Sequence, residues 1–257
     1  MSRLLQFSYD ITLTFDKPVT RHSFVLRCLP GDGPGQRVES AALTLDPVVP
    51  FTEQRDSFGN RLQIGRLDEA HSHFHYKAAG TVLRDDARRE KESDRPLFRY
   101  PSAFTQPDGA LRQAAASLTL PDDPRGKAWA LLEAVQARLT YTPGVTGVST
   151  TAAQALALGQ GVCQDYAHVY LALARLCGLS ARYVNGLPEG EGASHAWCEV
   201  WLDGVWTGID PTRGRWADEG YIRFGIGRDF TDCPMERGVF VGAANQCQTV
   251  FMQVSQQ

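Results

Sequence analysis

A chain of 257 residues, 43% hydrophobic and 21% charged, has the composition of a globular protein with core enough for one large domain or two ordinary ones, which excludes disordered and fibrous classes. Its formal net charge of -3 argues against a protein built around a nucleic-acid backbone. No apolar run reaches membrane-spanning length, and the start, MSRLLQFSYDITLTF, alternates like a strand without a leader pattern, so no membrane association is expected and cytoplasm is the default compartment.

Residues 1 to about 84 read as β structure. Phe7, Tyr9, Ile11, Leu13 and Phe15 alternate through FSYDITLTF, and SFVLRCL, ESAALTL, RLQIGRL and SHFHYKAAGTVL are further short runs. Turn chemistry at 29–36 (LPGDGPGQ) and 56–60 (DSFGN) separates them. Short strands at this spacing predict an antiparallel, sandwich-like domain. Within it His71, His73 and His75 occupy alternate positions, and alternate strand residues share a face, so three imidazoles are a candidate metal site. A solvated strand face is the plainer reading, and no metal or other cofactor is assigned.

The stretch LRDDARREKESDRP at 83–96 is charged, poor in bulky apolar groups and ends in proline, as linkers do. The division expected is therefore an N-terminal β domain over 1–96, with this linker at its end, and a chemistry-bearing region over 97–257. That second region changes period. A short helix is predicted from Gly109 to Leu118, and a longer one starts at Asp122-Asp123-Pro124, with Ala128, Leu131, Leu132, Val135 and Leu139 as its stripe. A loop at 140–150 and a short helix at 151–158 lead to Gly159. The run from Cys163 to Cys177 is apolar nearly all round, which predicts a buried helix stopped by Gly178. Strands follow at 181–187, 195–202 and 205–209, the last two joined by the hairpin signal Asp203-Gly204, and the tail from Gly238 to Val254 reads as one more strand pair.

The six cysteines, Cys28, Cys163, Cys177, Cys198, Cys233 and Cys247, are scattered and form no CxxC pair, which argues against a disulfide framework. For most of them an inert buried thiol is the expectation. Cys163 differs in its company. It opens the buried helix, where unpaired N–H groups and the helix dipole favour thiolate and can hold an oxyanion. His195 begins a strand and Asp210 ends the next one, in GIDPT. A hairpin turning at Asp203-Gly204 brings those two side by side at its open end. A carboxylate beside an imidazole fixes its tautomer and stabilises its charged form. Trp197 shares the His195 face and is placed to wall the site, while His168, further along the same helix as Cys163, is expected to be structural and Cys198 to point away. The glycines at 159 and 161 are read as room for backbone approach.

The stretches GVCQDYAHVYLALARLCGLSARYVNGL, SHAWCEVWLDGVW and GIDPT resemble the core of the transglutaminase-like superfamily, over about Pro124 to Thr212. The N-terminal β region and GRDFTDCPMERGVFVGAANQCQTVFMQV are similar to the flanking parts of bacterial members. The resemblance implies an α+β fold: a papain-like core of buried helix plus antiparallel sheet, preceded by the β-sandwich-like domain. It implies Cys163 as nucleophile, His195 as base and Asp210 as the orienting acid. It also implies a side-chain oxyanion donor upstream, for which Gln154, Gln160 and Tyr141 are candidates. The activity it implies is cleavage of amide or peptide bonds through a thioester, with a peptide or protein as substrate. A transamidase or acyltransferase with the same triad and a non-catalytic binding protein of the same fold are the alternatives. No EF-hand-type loop is present, so calcium activation is not implied.

Overall fold

The structure, a computed structural model, describes residues 2–89 and 91–257. Strand β1 (Arg3–Leu26) is 24 residues long and organises the N-terminal half. Around it stand β2 (Gln36–Asp46), β3 (Phe51–Arg55), β4 (Arg61–Leu67) and β5 (His71–Arg84). The two runs FSYDITLTF and SFVLRCL, read from sequence as separate strands, share this one element. A register shift between Thr14 and Val19 divides it, and Pro18 sits there because it has no N–H for a ladder. Before the shift β1 pairs with β5; beyond it, residues 22–26 pair with β4. The strand thus turns a corner, and Leu5, Phe7, Tyr9 and Ile11 from one arm share a core with Phe24 and Leu26 from the other.

The second half opens with α1 (Gly109–Ala116), α2 (Pro124–Gln136), β6 (Thr140–Tyr141), α3 (Ala152–Leu158), β7 (Gln160–Gly161) and α4 (Cys163–Leu176). Asp123 caps α2 by accepting from Gly126 N at 2.6 Å, with Pro124 in the first turn, as the sequence signal requires. The chain continues through β8 (Ala181–Pro188), β9 (Gly190–Gly192), β10 (His195–Leu202), β11 (Val205–Asp210), β12 (Arg215–Trp216) and β13 (Tyr221–Gly227). Five of these form an antiparallel sheet in the order β12-β11-β10-β8-β13. Helix α4 lies against it with 11 of its 14 residues buried, so burial on every side, at roughly 2 kcal/mol for each large apolar side chain, fixes where Cys163 stands. Arg175, near the other end of α4, donates to the carbonyls of Phe98, Ala181 and Arg228 and to Thr105 Oγ1, tying the segment after the linker to the helix. Burial pulls its guanidinium down to about 10.

The expected α+β arrangement, a buried helix plus antiparallel sheet preceded by a sandwich-like β region, is the one observed. The tail differs from expectation. Strands β14 (Glu236–Val241) and β15 (Gln246–Gln256) do not pair with each other. Each pairs with β1, β14 along residues 20–26 and β15 along residues 5–15. Their apolar side chains explain this: Met252 and Val254 complete the N-terminal core, where β1 offers a long partner already bent. Among the described residues no helix is long and apolar enough to cross a membrane.

Candidate active site

The β10–β11 hairpin turns at Asp203 (φ 52°) and Gly204 (φ 90°), the two positive φ values that a tight primed turn demands. Its ladder pairs Leu202 with Val205 and Cys198 with Ile209. Continued, that register sets Asp210 across from Trp197, one same-face step from His195. The two catalytic candidates are therefore diagonal neighbours at the open end of the hairpin, within side-chain reach. His195 Nε2 donates to Asp210 Oδ2 at 2.7 Å.

Asp210 is fully buried and its carboxylate is crowded with donors. Oδ2 also accepts from the Tyr221 hydroxyl at 2.8 Å, and Oδ1 accepts from the backbone N–H groups of Thr212 and Arg213 at 3.0 and 3.1 Å. Burial opposes its charge, but the hydrogen bond and charge of His195 together with these donors hold it below the usual carboxylate range. Burial likewise opposes charge on His195; the hydrogen bonds and negative charges of Asp210 and Cys163 on its two sides prevail and raise its pKa to about 9. The ring is thus cationic at neutral pH, donating through Nε2 to the carboxylate and facing the Cys163 sulfur with its other side. Trp197, buried as a wall, stacks on it at 6.3 Å with 22° between planes, and Tyr221 meets Trp197 edge-on at 5.2 Å.

Cys163 is half-buried at the first residue of α4. Asp165, two residues on, is buried and accepts from Val162 N at 2.8 Å and from Thr146 Oγ1 at 2.7 Å. It caps the helix and anchors the 140–150 loop, leaving the N–H groups of Cys163 and Gln164 as first-turn donors. The glycines serve two helix ends more than they make room. Gly159 takes the left-handed φ of 68° that ends α3. At Gly161 a Cβ would stand 2.6 Å from Asp165.

Of the side-chain donors considered from sequence, the structure brings one to the cysteine. The parallel pair β6–β7 sets Tyr141 beside Gly161, and burial together with the nearby Cys163 raises its hydroxyl pKa. Gln154 is held in the capping box of α3, where its Oε1 accepts from Thr151 N at 2.9 Å. Gln160 contributes its backbone to the β6–β7 pair, and no hydrogen bond of its side chain appears at the site. Asp165 and Tyr221 were not read from sequence. An acid in a first turn next to Cys163 was a legible capping signal; Tyr221 arrives from a separate strand and leaves none.

The other cysteines and histidines fall outside the site. Burial pushes the thiols of Cys28, Cys198 and Cys233 well up and that of Cys177 up. His168 is fully buried, accepts from Phe230 N at 3.2 Å, and is pulled down to about 4 chiefly by burial. The three histidines of β5 do not converge. The register shift beside Val19 turns His71 inward, where its Nε2 lies 3.3 Å from His22 Nδ1. His73 and His75 face outward and meet Asp46 at 3.3 Å and Asp10 at 2.8 Å. Strict alternation is the premise that fails, and among the described residues no metal-binding group is assembled.

Residues 112–211 match the family model described as the transglutaminase-like superfamily, and residues 5–83 match the bacterial transglutaminase-like N-terminal region. An uncharacterised protein of Mycobacterium leprae is 35% identical over 55% of this chain, which spans 54% of that relative's length. An uncharacterised protein of Mycobacterium tuberculosis is 30% identical, with 79% of this chain and 77% of the relative covered. The crystal structure of "a Putative Cysteine Protease" from Cytophaga hutchinsonii superposes with a TM-score of 0.84 over 100% of this chain and 91% of its own at 22% identity. That likeness fixes the fold.

Proposed function

Because this chain belongs to the transglutaminase-like superfamily, a superfamily of cysteine-dependent enzymes, we propose that it hydrolyses amide or peptide bonds through Cys163, His195 and Asp210. The observation that carries the reading is the 2.7 Å bond from His195 to a buried Asp210 with Cys163 on the other side of the ring. The Cys163 sulfur attacks the carbonyl carbon of the substrate. The oxyanion that forms is held by first-turn N–H groups of α4 and by the Tyr141 hydroxyl. His195 gives its proton to the leaving amine, and a thioester remains on Cys163. A water molecule then loses a proton to His195 and attacks the thioester, releasing the acid and restoring the thiolate–imidazolium pair. Asp210 stays ionised throughout and keeps the ring oriented. The substrate proposed is a peptide or protein, and the compartment proposed is the cytoplasm.

The test uses p-nitrophenyl acetate as a small acyl donor with the intact protein. Wild type is expected to release p-nitrophenolate with a burst and to carry an acetyl group on Cys163 by mass spectrometry; Cys163→Ala is expected to show neither. Acetylation spread over exposed Cys247 and the other thiols, with no preference for Cys163, would sink the proposal. Added glycine methyl ester separates hydrolysis from transfer: acetate as the main product supports a hydrolase, and the amide conjugate identifies a transamidase.

A further inference from the structure

The segment from Glu189 to Ser194, EGEGAS, leads directly into His195. It has no bulky apolar side chain to hold it, and Gly190 and Gly192 take φ values of 117° and 145°, open only to glycine at low cost. Left alone, such a loop samples many conformations, and so does the backbone entering His195. Here it is fastened to the N-terminal sheet at several points. Arg3 Nη2 donates to both carboxylate oxygens of Glu189, at 2.9 and 2.8 Å. Strand β9 pairs with β15, Gly190 with Val254 and Gly192 with Met252. Gln253 Nε2 donates to Glu191 Oε1 at 3.3 Å. Tyr9 stands across from Met252 on the other side of β15, with Ser194 near its hydroxyl. Behind Tyr9, Tyr76 meets it edge-on at 6.4 Å and donates to Glu236 at 2.5 Å.

We propose that Arg3 and Tyr9 are positioning residues for His195: the N-terminal sheet grips the 189–194 segment and so sets the imidazole between Asp210 and Cys163. The inference rests on the assignment of His195 as the base, and it gives the N-terminal β region a part in catalysis without a group at the reacting atoms. The Tyr9 end is the more buried one. Tyr9 is 2% exposed, so water does not replace a lost partner there. The Arg3–Glu189 pair is 25% and 39% exposed, so it is screened and worth less.

The experiment reads two quantities in the intact chain: the titration midpoint of the His195 ring by NMR, and the rate of iodoacetamide alkylation of Cys163 at pH 7. Tyr9→Phe keeps the ring and removes the hydroxyl. It is expected to lower the midpoint from about 9 by about one unit and to slow alkylation about fivefold, the scale of one buried hydrogen bond. Ser194→Ala should match it, and the double variant should be no worse than either, since both remove one interaction. Arg3→Gln should slow alkylation about twofold, with Arg3→Lys restoring most of the loss. Arg3 and Ser194 are not core residues, so those variants carry the test even where Tyr9→Phe folds poorly. Unchanged midpoints and rates in Ser194→Ala and Arg3→Gln would overturn the proposal. His195→Ala keeps the two levels apart. If it slows alkylation and the positioning variants do not, only the positioning is lost; if it too leaves alkylation unchanged, the assignment of the base falls and the proposal with it.

Discussion

Two regions of this molecule bury a strand histidine, and they put the same side chain to opposite use. On β10, His195 stands between Asp210 and Cys163 and its pKa is raised to about 9. At the β1–β5 corner, His22 is buried against His71 and ringed by Phe15, Phe24, Phe74 and Phe240, and its pKa is lowered to about 4. Both rings have lost most of their water, and in both burial disfavours the charged form. What separates them by so wide a margin is whether a carboxylate shares the burial. A strand of histidines is therefore no functional signal in itself, and neither is an acid across from one, since His73 and His75 meet Asp46 and Asp10 near solvent; an acid that shares the burial is.

The comparison breaks most sharply at Asp210. Asp210→Asn keeps the size of the side chain and removes the charge that holds the His195 proton. Esterase turnover with p-nitrophenyl acetate is expected to fall about a thousandfold, in the range that general acid–base groups supply, while the His195 midpoint drops toward the ordinary 6.5. Turnover within twofold of wild type would show that the carboxylate is not part of the machinery.

A second buried acid on β10 marks the limit of that argument. Glu199 lies on the same face of the strand as His195 but is held by Arg182 Nε at 2.6 Å and Arg223 Nη1 at 3.1 Å. Burial opposes its charge, yet the two guanidinium groups pull its pKa down to about 2. Glu199→Gln leaves both of them without that charge and is expected to cost about 3 kcal/mol by urea unfolding, with Cys163 alkylation in the folded protein unchanged. Because its folded pKa lies below the ordinary 4.5, its contribution is present above pH 4.5 and is lost as pH falls toward 2. A variant that lost alkylation and kept its stability would move Glu199 into the site.

The pH dependence of His195 has the opposite sign. Its folded pKa lies above 6.5, so its contribution to stability is fully present below pH 6.5 and fades as pH rises through about 9. Acylation by an amide substrate should fall over the same upper window, because a neutral ring has no proton for the leaving amine. A profile flat from pH 7 to 10 would contradict the assignment.

The legible part of this fold is the part built from local signals. The Asp123-Pro124 start, the all-round apolar run after Cys163 and the Asp203-Gly204 turn each state a local preference that tertiary packing did not override, and together they place Cys163, His195 and Asp210 at three element ends. What escaped depends on pairings far apart in sequence. The destination of β15 is set by a strand more than 200 residues away, Tyr221 reaches Asp210 from another strand, and the shift near Pro18 that turns His71 inward is a property of the β1–β5 ladder. One slip in a strand moves a side chain to the other face, so a periodicity argument fails there first.

The smallest expected effect is at His22, and it tests the comparison from the side without chemistry. His71 Nδ1 lies 2.9 Å from the carbonyl of Glu69 and donates to it, so its Nε2 is left to accept from His22 Nδ1. His22→Phe removes that donor and puts an apolar ring among phenylalanines beside a cavity of about 100 Å³. At pH 7 the unsatisfied His71 nitrogen is expected to cost about 1 kcal/mol, and Cys163 alkylation should not change. The sign reverses in acid. His22 is neutral in the folded state and its pKa there, about 4, lies below the ordinary 6.5, so its contribution is present above pH 6.5 and is lost as pH falls through 4. The variant lacks that loss. Its thermal midpoint should therefore start below wild type at pH 7 and draw level or pass it near pH 4. Parallel curves would mean that His22 titrates freely and that burial without a carboxylate does not lower a histidine in this fold.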